Sequence, residues 1–315
     1  MAGYRRSGGV TALVALTAFG LAACGGPSLA PLVNSGNSSG AGNRAVVAAN
    51  SQGVGIAIDP DYFNRGACVA FPPTAGNRHL TVFLDAGHGG LDPGAVGTTE
   101  SGRVIYEADQ TLPVVLDTMT ILRRDGFRVV VSRTGPTTVL RLRPGDVSGR
   151  LLTAQGVHDD VAARDVCANM AHANVLVGVY FNAGASAANA GCITAYDPDR
   201  PFAASNLRLA GLVQSDVLTA MNAQGWQIPD IGVQTDQGLG SSLTAADQAY
   251  GHLMLLGPAM SGYFSTPSTM PGALIEPLFI TDPFEGSIAA SSRGQQVIAA
   301  GLARAIEQYF GPAGS

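Results

Sequence analysis

No lysine occurs anywhere in the 315 residues, so every basic side chain is arginine. With charged residues at only 13% of the chain, that bias reads as codon usage rather than arginine-specific recognition. The arginines form no clustered basic footprint, and without one no nucleic-acid partner is expected. Cysteine is scarce, at four, and no CxxC or Cys/His spacing points to a zinc–thiolate site. Long apolar runs are missing as well: Val10 to Leu21 is too short to span a bilayer by itself. There is no internal repeat, which argues against a solenoid or propeller.

The chain does have apolar mass. At 46% hydrophobic it can bury a substantial core. Its first 24 residues read as an address rather than as fold, with Arg5-Arg6 as a positive n-region and Val10 to Leu21 as the apolar h-region. They end in Leu21-Ala22-Ala23-Cys24, which resembles the lipobox of bacterial lipoproteins. On that likeness residues 1–23 are a signal peptide and Cys24 is lipidated. The plainer alternative is a secretory signal cut after a small residue. Removing Arg5 and Arg6 from the 18 arginines leaves 16 against 23 acids, a balance of −7. Residues 24–50, rich in Gly, Ser, Asn and Ala, read as a flexible tether to the outer face of the cytoplasmic membrane. Export places Cys68, Cys167 and Cys192 where disulfides form, with at most one bridge among three and no way to choose the pair.

Residues 51–78 read as a lead-in segment packed on a domain spanning 79–312. Leu80 to Leu84 is a continuous apolar run closed by Asp85-Ala86-Gly87-His88-Gly89-Gly90, the pattern of a buried parallel strand ending in a sharp turn. Helical periodicity runs from Glu107 to Asp125, with Pro113 placing the regular part near that residue. Strands are expected at Phe127–Val131, Val175–Phe181, Cys192–Tyr196, Leu253–Leu256 and Ala273–Ile275. Helices are expected at Val161–Ala173, Phe202–Gln224 and Ile288–Phe310, with residues 133–160 a long charged loop. The alternation implies an α/β fold with a mostly parallel twisted sheet of about six strands and helices on both faces.

Four positions fall at strand ends or a helix start: His88, Glu107, Tyr180 and Glu276. In open α/β sheets that edge is where ligands bind. Histidine and glutamate ligands, with a free carboxylate for proton transfer, are the inventory of a zinc hydrolase. Phe83-Leu84-Asp85-Ala86-Gly87-His88-Gly89-Gly90 resembles the first-ligand motif of the zinc-dependent N-acetylmuramoyl-L-alanine amidases of the amidase_3 type. Glu107, 19 residues on, stands where that family's second ligand is expected. Arg164, Ala168-Asn169 and Ala173 to Val177 are similar to the helix and strand preceding the third ligand. Ala273-Leu274-Ile275-Glu276-Pro277 is similar to the segment carrying the catalytic glutamate.

The resemblance implies a peptidoglycan hydrolase that cuts the amide between the muramic acid lactyl group and L-alanine, with Zn²⁺ as cofactor and Glu276 as catalytic acid/base. It puts the zinc on His88, Glu107 and a third residue at position 180. There the family has histidine and this chain has tyrosine, within Gly178-Val179-Tyr180-Phe181-Asn182. A phenol with an ordinary pKa near ~10 coordinates a metal only after losing its proton, whereas imidazole binds neutral. The departure keeps a second function open: an amidase-like lipoprotein that binds peptidoglycan or a partner without cleaving. His158, in the charged loop, is the histidine with the reach to substitute; His252, His172 and His79 lie too far away or at the wrong edge. Asp85 reads either as a residue supporting the ligands or as a strand-end cap, and Asn182 as lining the cavity.

Overall fold

A computed structural model describes residues 46–50, 53–239 and 243–312, so the expected signal peptide and Cys24 lie outside the described residues. Among those residues the main sheet has nine strands. In chain order its elements begin with β1 (Val46–Asn50), β2 (Gly53–Ala57), β3 (Ala67–Phe71) and β4 (Thr81–Ala86). A small hairpin, β5 (Val96–Thr98) and β6 (Val104–Tyr106), leads into α1 (Glu107–Arg124) and β7 (Arg128–Arg133). A second hairpin, β8 (Val147–Ser148) and β9 (Leu151–Leu152), precedes α2 (Ala154–Met170) and β10 (Val175–Val179). Then come β11 (Cys192–Tyr196), α3 (Ala203–Asn222), β12 (Asp230–Thr235) and α4 (Ala245–Tyr250). The chain closes with β13 (Gly272–Glu276), α5 (Pro283–Ala289) and α6 (Ser292–Phe310).

The order across the sheet is β1-β2-β3-β7-β4-β10-β13-β11-β12. Its centre, β7-β4-β10-β13, is parallel throughout. These Val- and Leu-rich segments are buried on both faces, which is why they read as unbroken apolar runs. Side-chain alternation sorts them. Val82, Leu84, Val129, Val131, Val175, Val177 and Ile275 meet α1, α3 and α6, while Phe83, Val130, Leu176 and Leu274 meet α2 and the segment around Leu255. The α/β sheet with helices on both faces is thus as the alternation implied. After β4 the chain adds β7 on one side and then returns to add β10 on the other. That reversal opens a crevice at the strands' C-terminal ends.

The sheet is wider than expected because the lead-in segment supplies strands to it. β3 pairs antiparallel with β7 and β2 with β3, and β1, from the end of the expected tether, pairs with β2. β12 escapes a sequence reading because it is a half-exposed edge strand with a glycine inside it. The run Leu253–Leu256 is not a strand: Leu256 N and Gly257 N both donate to Leu253 O, closing a turn. α1 begins at Glu107 and carries Pro113 inside it. α2 begins at Ala154, seven residues before the expected start, because Thr153 caps it through Gly156 N at 3.0 Å. The last helix is two, broken at Ala290–Ser291, with Gly294 and Gly301 inside α6. Cys68 and Cys167 form a disulfide joining β3 to α2, and Cys192 is a buried thiol.

Candidate active site

β4 delivers the first two site residues. Asp85 is buried on its α2 face, and the chain then turns through His88 (φ 59°), Gly89 (φ 131°) and Gly90 (φ 62°). A histidine in the left-handed region stores backbone strain, a cost met where the surrounding structure fixes it. Here two buried arginines hold the turn by its carbonyls. Arg133 donates to Ala86 O and Gly87 O at 3.1 Å each, and Arg164 to Ala86 O at 2.8 Å and His88 O at 2.9 Å.

The His88 ring sits between two carboxylates: Nδ1 is 2.8 Å from Asp92 Oδ2 and Nε2 is 3.1 Å from Glu107 Oε2. Burial alone would lower the imidazole's pKa, but Glu107 and then Asp92 outweigh it and hold it well above the usual histidine value. Glu107 is fixed from both sides, its Oε1 accepting from Phe181 N and its Oε2 from Ala95 N, each at 2.9 Å. Its place in the first turn of α1 also suits a carboxylate. Gly94 is what lets the two close: a Cβ there would lie 2.6 Å from His88 Cδ2 and 2.7 Å from Glu107 Oε2.

β10 ends at Val179, so Tyr180 leaves the sheet on the same face as Asp85. Its hydroxyl donates to Asp85 Oδ2 at 3.0 Å. Asp85 Oδ1 in turn receives Arg164 Nη1 at 2.5 Å, and Arg164 Nη2 pairs with Asp160 at 2.9 Å. Burial first and the Asp85 charge second push the phenol well above its ordinary pKa. Asp85 is therefore the support of the tyrosine and the arginine, not a strand cap. Glu276, at the end of β13, completes the group. Its carboxyl is pushed up to about 8 by burial and then by Glu107, with His88 pulling the other way.

His88, Glu107, Tyr180 and Glu276 line one cavity of about 420 Å³, together with Asp92 and Arg164. Asn182 does not line it; it is buried between β10 and the segment after β13, where its backbone bridges Leu278 and Ile280. His158 is in α2 and not in a loop. It lines the cavity, but its Nε2 sits 2.9 Å from Tyr263 O and its Nδ1 2.9 Å from Asp159, so it replaces no ligand. His252 also lines the cavity, which its expected strand position did not allow. His172 and His79 are exposed and away from it. Asp92 was missed in the sequence, although its place four residues after His88, in a glycine-rich turn, was the available signal.

The family whose members this site resembles is typically zinc-dependent, and the donors here meet that requirement in part. His88 Nε2 and Glu107 Oε2, 3.1 Å apart, are close enough to share one ion, and Asp92 holds the other ring nitrogen as metal-binding histidines require. Tyr180 does not fit: its proton is committed to Asp85 and its phenolate is disfavoured.

The family model for N-acetylmuramoyl-L-alanine amidases (Amidase_3) matches residues 82–308. The germination-specific N-acetylmuramoyl-L-alanine amidase of Bacillus subtilis (strain 168) is 25% identical over 229 residues, covering 73% of this chain and 79% of that protein. Among solved structures, the N-acetylmuramoyl-L-alanine amidase from Clostridium difficile 630 aligns with a TM-score of 0.51 at 24% identity, over 73% of this chain and 96% of that one. The CwlD amidase from Clostridioides difficile, solved in complex with the GerS lipoprotein, aligns at 0.55 and 20% identity, over 73% and 98%. At these identities the solved structures speak for the fold, while the family match covers most of the chain: the protein belongs to the Amidase_3 family of N-acetylmuramoyl-L-alanine amidases.

Proposed function

We propose that this protein hydrolyses the amide between the lactyl group of N-acetylmuramic acid and L-alanine in peptidoglycan, with Glu276 as the proton-transfer residue. The observation that carries the reading is the meeting of His88, Glu107 and Glu276 in one cavity, from three segments far apart in sequence. A carboxyl pushed up to about 8 sits near neutral pH, where it can both accept and return a proton. Glu276 takes the proton of the attacking water as its oxygen adds to the lactyl carbonyl carbon. It returns that proton to the alanine nitrogen as the C–N bond breaks. His88 and Glu107 would hold a divalent cation, which when bound supplies Lewis-acid polarisation of the carbonyl. Asp92 keeps the imidazole oriented, and Arg164 fixes the turn that presents it.

Incubation with purified peptidoglycan and Zn²⁺ should release stem peptides with free L-alanine N-termini, detected by mass spectrometry. Glu276→Gln should slow that release by about 10²–10⁴-fold, the usual worth of general acid–base catalysis. Wild-type protein releasing no such peptides would end this reading. Lipidation of Cys24 would hold the domain at the outer face of the membrane, and Cys24→Ala should then shift the protein out of the membrane fraction.

One observation favours a second reading, binding of peptidoglycan without cleavage: the hydrogen bond that commits Tyr180 to Asp85. Tyr180→His separates the two. Under the second reading wild-type protein is inert and the histidine variant gains zinc and activity together.

A further inference from the structure

A second group of metal-ligand side chains lies away from His88 and Glu107. Asp197 and Asp199 follow β11, and His252 follows α4; one ligand atom from each lies within 4.8 Å of the others. Asp236, just after β12, faces the same imidazole, its Oδ1 3.3 Å from Nδ1. β11 and β12 are parallel neighbours, and Asp236 N donates to Tyr196 O at 2.9 Å, so the two strand ends bring their acids together. β11 runs antiparallel to β13, with Ile193 opposite Glu276. Tyr196 therefore stands about 10 Å along the strand from the level of Glu276, at ~3.3 Å per residue. The two groups meet one cavity through His88 and His252, which both line it.

Charge and hydrogen bonding leave this group incomplete. Asp197 and Asp236 are fully buried, and a single imidazole serves both. Asp197 Oδ2 lies 3.0 Å from His252 Nδ1 yet makes no hydrogen bond of acceptable geometry, and it is buried from solvent. An isolated buried carboxylate oxygen is costly unless something positive completes it. Asp199, half exposed and held by Gln237 at 2.8 Å, leaves a way in.

We propose that Asp197, Asp199 and His252 form a divalent-cation site for a zinc-like ion, with Asp236 orienting the imidazole. Calcium and magnesium prefer all-oxygen shells, whereas an imidazole with carboxylates suits zinc. An ion there ties the ends of β11 and β12 to the segment after α4, which carries Leu253, Leu255 and Tyr263 of the cavity wall. The site does not depend on the proposed reaction, and its test reads metal rather than turnover.

The full chain is stripped with chelator, reloaded with Zn²⁺ and measured by equilibrium dialysis and thermal melting. His88→Ala/Glu107→Ala protein should retain one zinc per chain, and zinc should raise its Tm. Asp199→Ala, at an exposed position, and His252→Gln should each weaken that zinc by at least 10-fold, beyond what loss of a supporting partner costs. Circular dichroism checks that both variants fold. Two zinc ions in the wild type, with one lost in each variant set, also supports the site. Full zinc affinity in Asp199→Ala and His252→Gln, loss of all zinc in the His88/Glu107 double variant, or no zinc in the wild type would each overturn it.

Discussion

The two faces of the sheet are held by different physics. One is covered by α1, α3 and α6 through apolar packing of residues such as Met119, Leu209 and Leu302, all fully buried. The other is covered by α2 and a run of turns, and beneath them lie Asp85, Asp160, Arg164 and Asp165, also buried. A face that keeps a 420 Å³ cavity open cannot be closed by helices alone. On this second face the apolar packing of Phe83, Leu176 and Leu274 is supplemented by a disulfide from β3 to α2 and by an arginine that clamps the turn at His88. Both faces carry stability, by different interactions, and the candidate site is positioned on the second.

The sharpest way to break that comparison is to cut the staple. Cys68 and Cys167 are 99 residues apart, and a loop of that length is worth about 4.7 kcal/mol in the chain-entropy account. Cys68→Ser/Cys167→Ser should lose stability on that scale in urea unfolding. Next is Arg164→Ala, which leaves Asp85 and Asp160 as uncompensated buried charges at a cost of about 3–5 kcal/mol. It should also release the His88 turn, whose carbonyls Arg164 holds, read as loss of zinc uptake by the His88–Glu107 pair. Leu302→Ala, on the apolar face, should cost about 2–5 kcal/mol while leaving zinc uptake unchanged. Loss of metal binding in this variant would show the faces to be coupled.

The last prediction is a slope. An unfolded glutamate titrates near ~4.3, and the folded Glu276 carboxyl is pushed up to about 8. The fold holds this proton better than the unfolded chain does. Its contribution is therefore complete below the unfolded pKa and is lost as pH rises through the folded one. Glu276→Gln should gain stability relative to wild type between about pH 4.3 and 8, levelling off above. Parallel denaturation curves across that window would remove Glu276 from the buried group.

Much of the candidate site's edge is legible in the sequence because its signals are local. His88, Glu107 and Glu276 sit where an apolar run stops or a helix starts, and such boundaries are written in consecutive residues. The remainder is long-range. Arg164 and Asp85 are 79 residues apart, and neither position betrays the other. Leu253–Leu256 is apolar enough for a strand, and only its turn hydrogen bonds show why His252 reaches the cavity. β2 and β3 escape a sequence reading because glycines and prolines punctuate residues 51–78 and the apolar pieces between them, such as Val69-Ala70-Phe71, are short.

By itself, the sequence determined the parallel centre of the sheet, the residues at its C-terminal edge, and the tyrosine at position 180 where the resembling family has histidine. Each of these follows from hydrophobic period and residue type along a short stretch. Only the tertiary structure decided that Tyr180 donates its hydrogen bond to Asp85, that Cys68 pairs with Cys167, and that three aspartates and a histidine gather beside the ends of β11 and β12. Hydrogen bonds, disulfides and ion clusters depend on distances in space. Those are set by how strands from remote parts of the chain come to lie side by side.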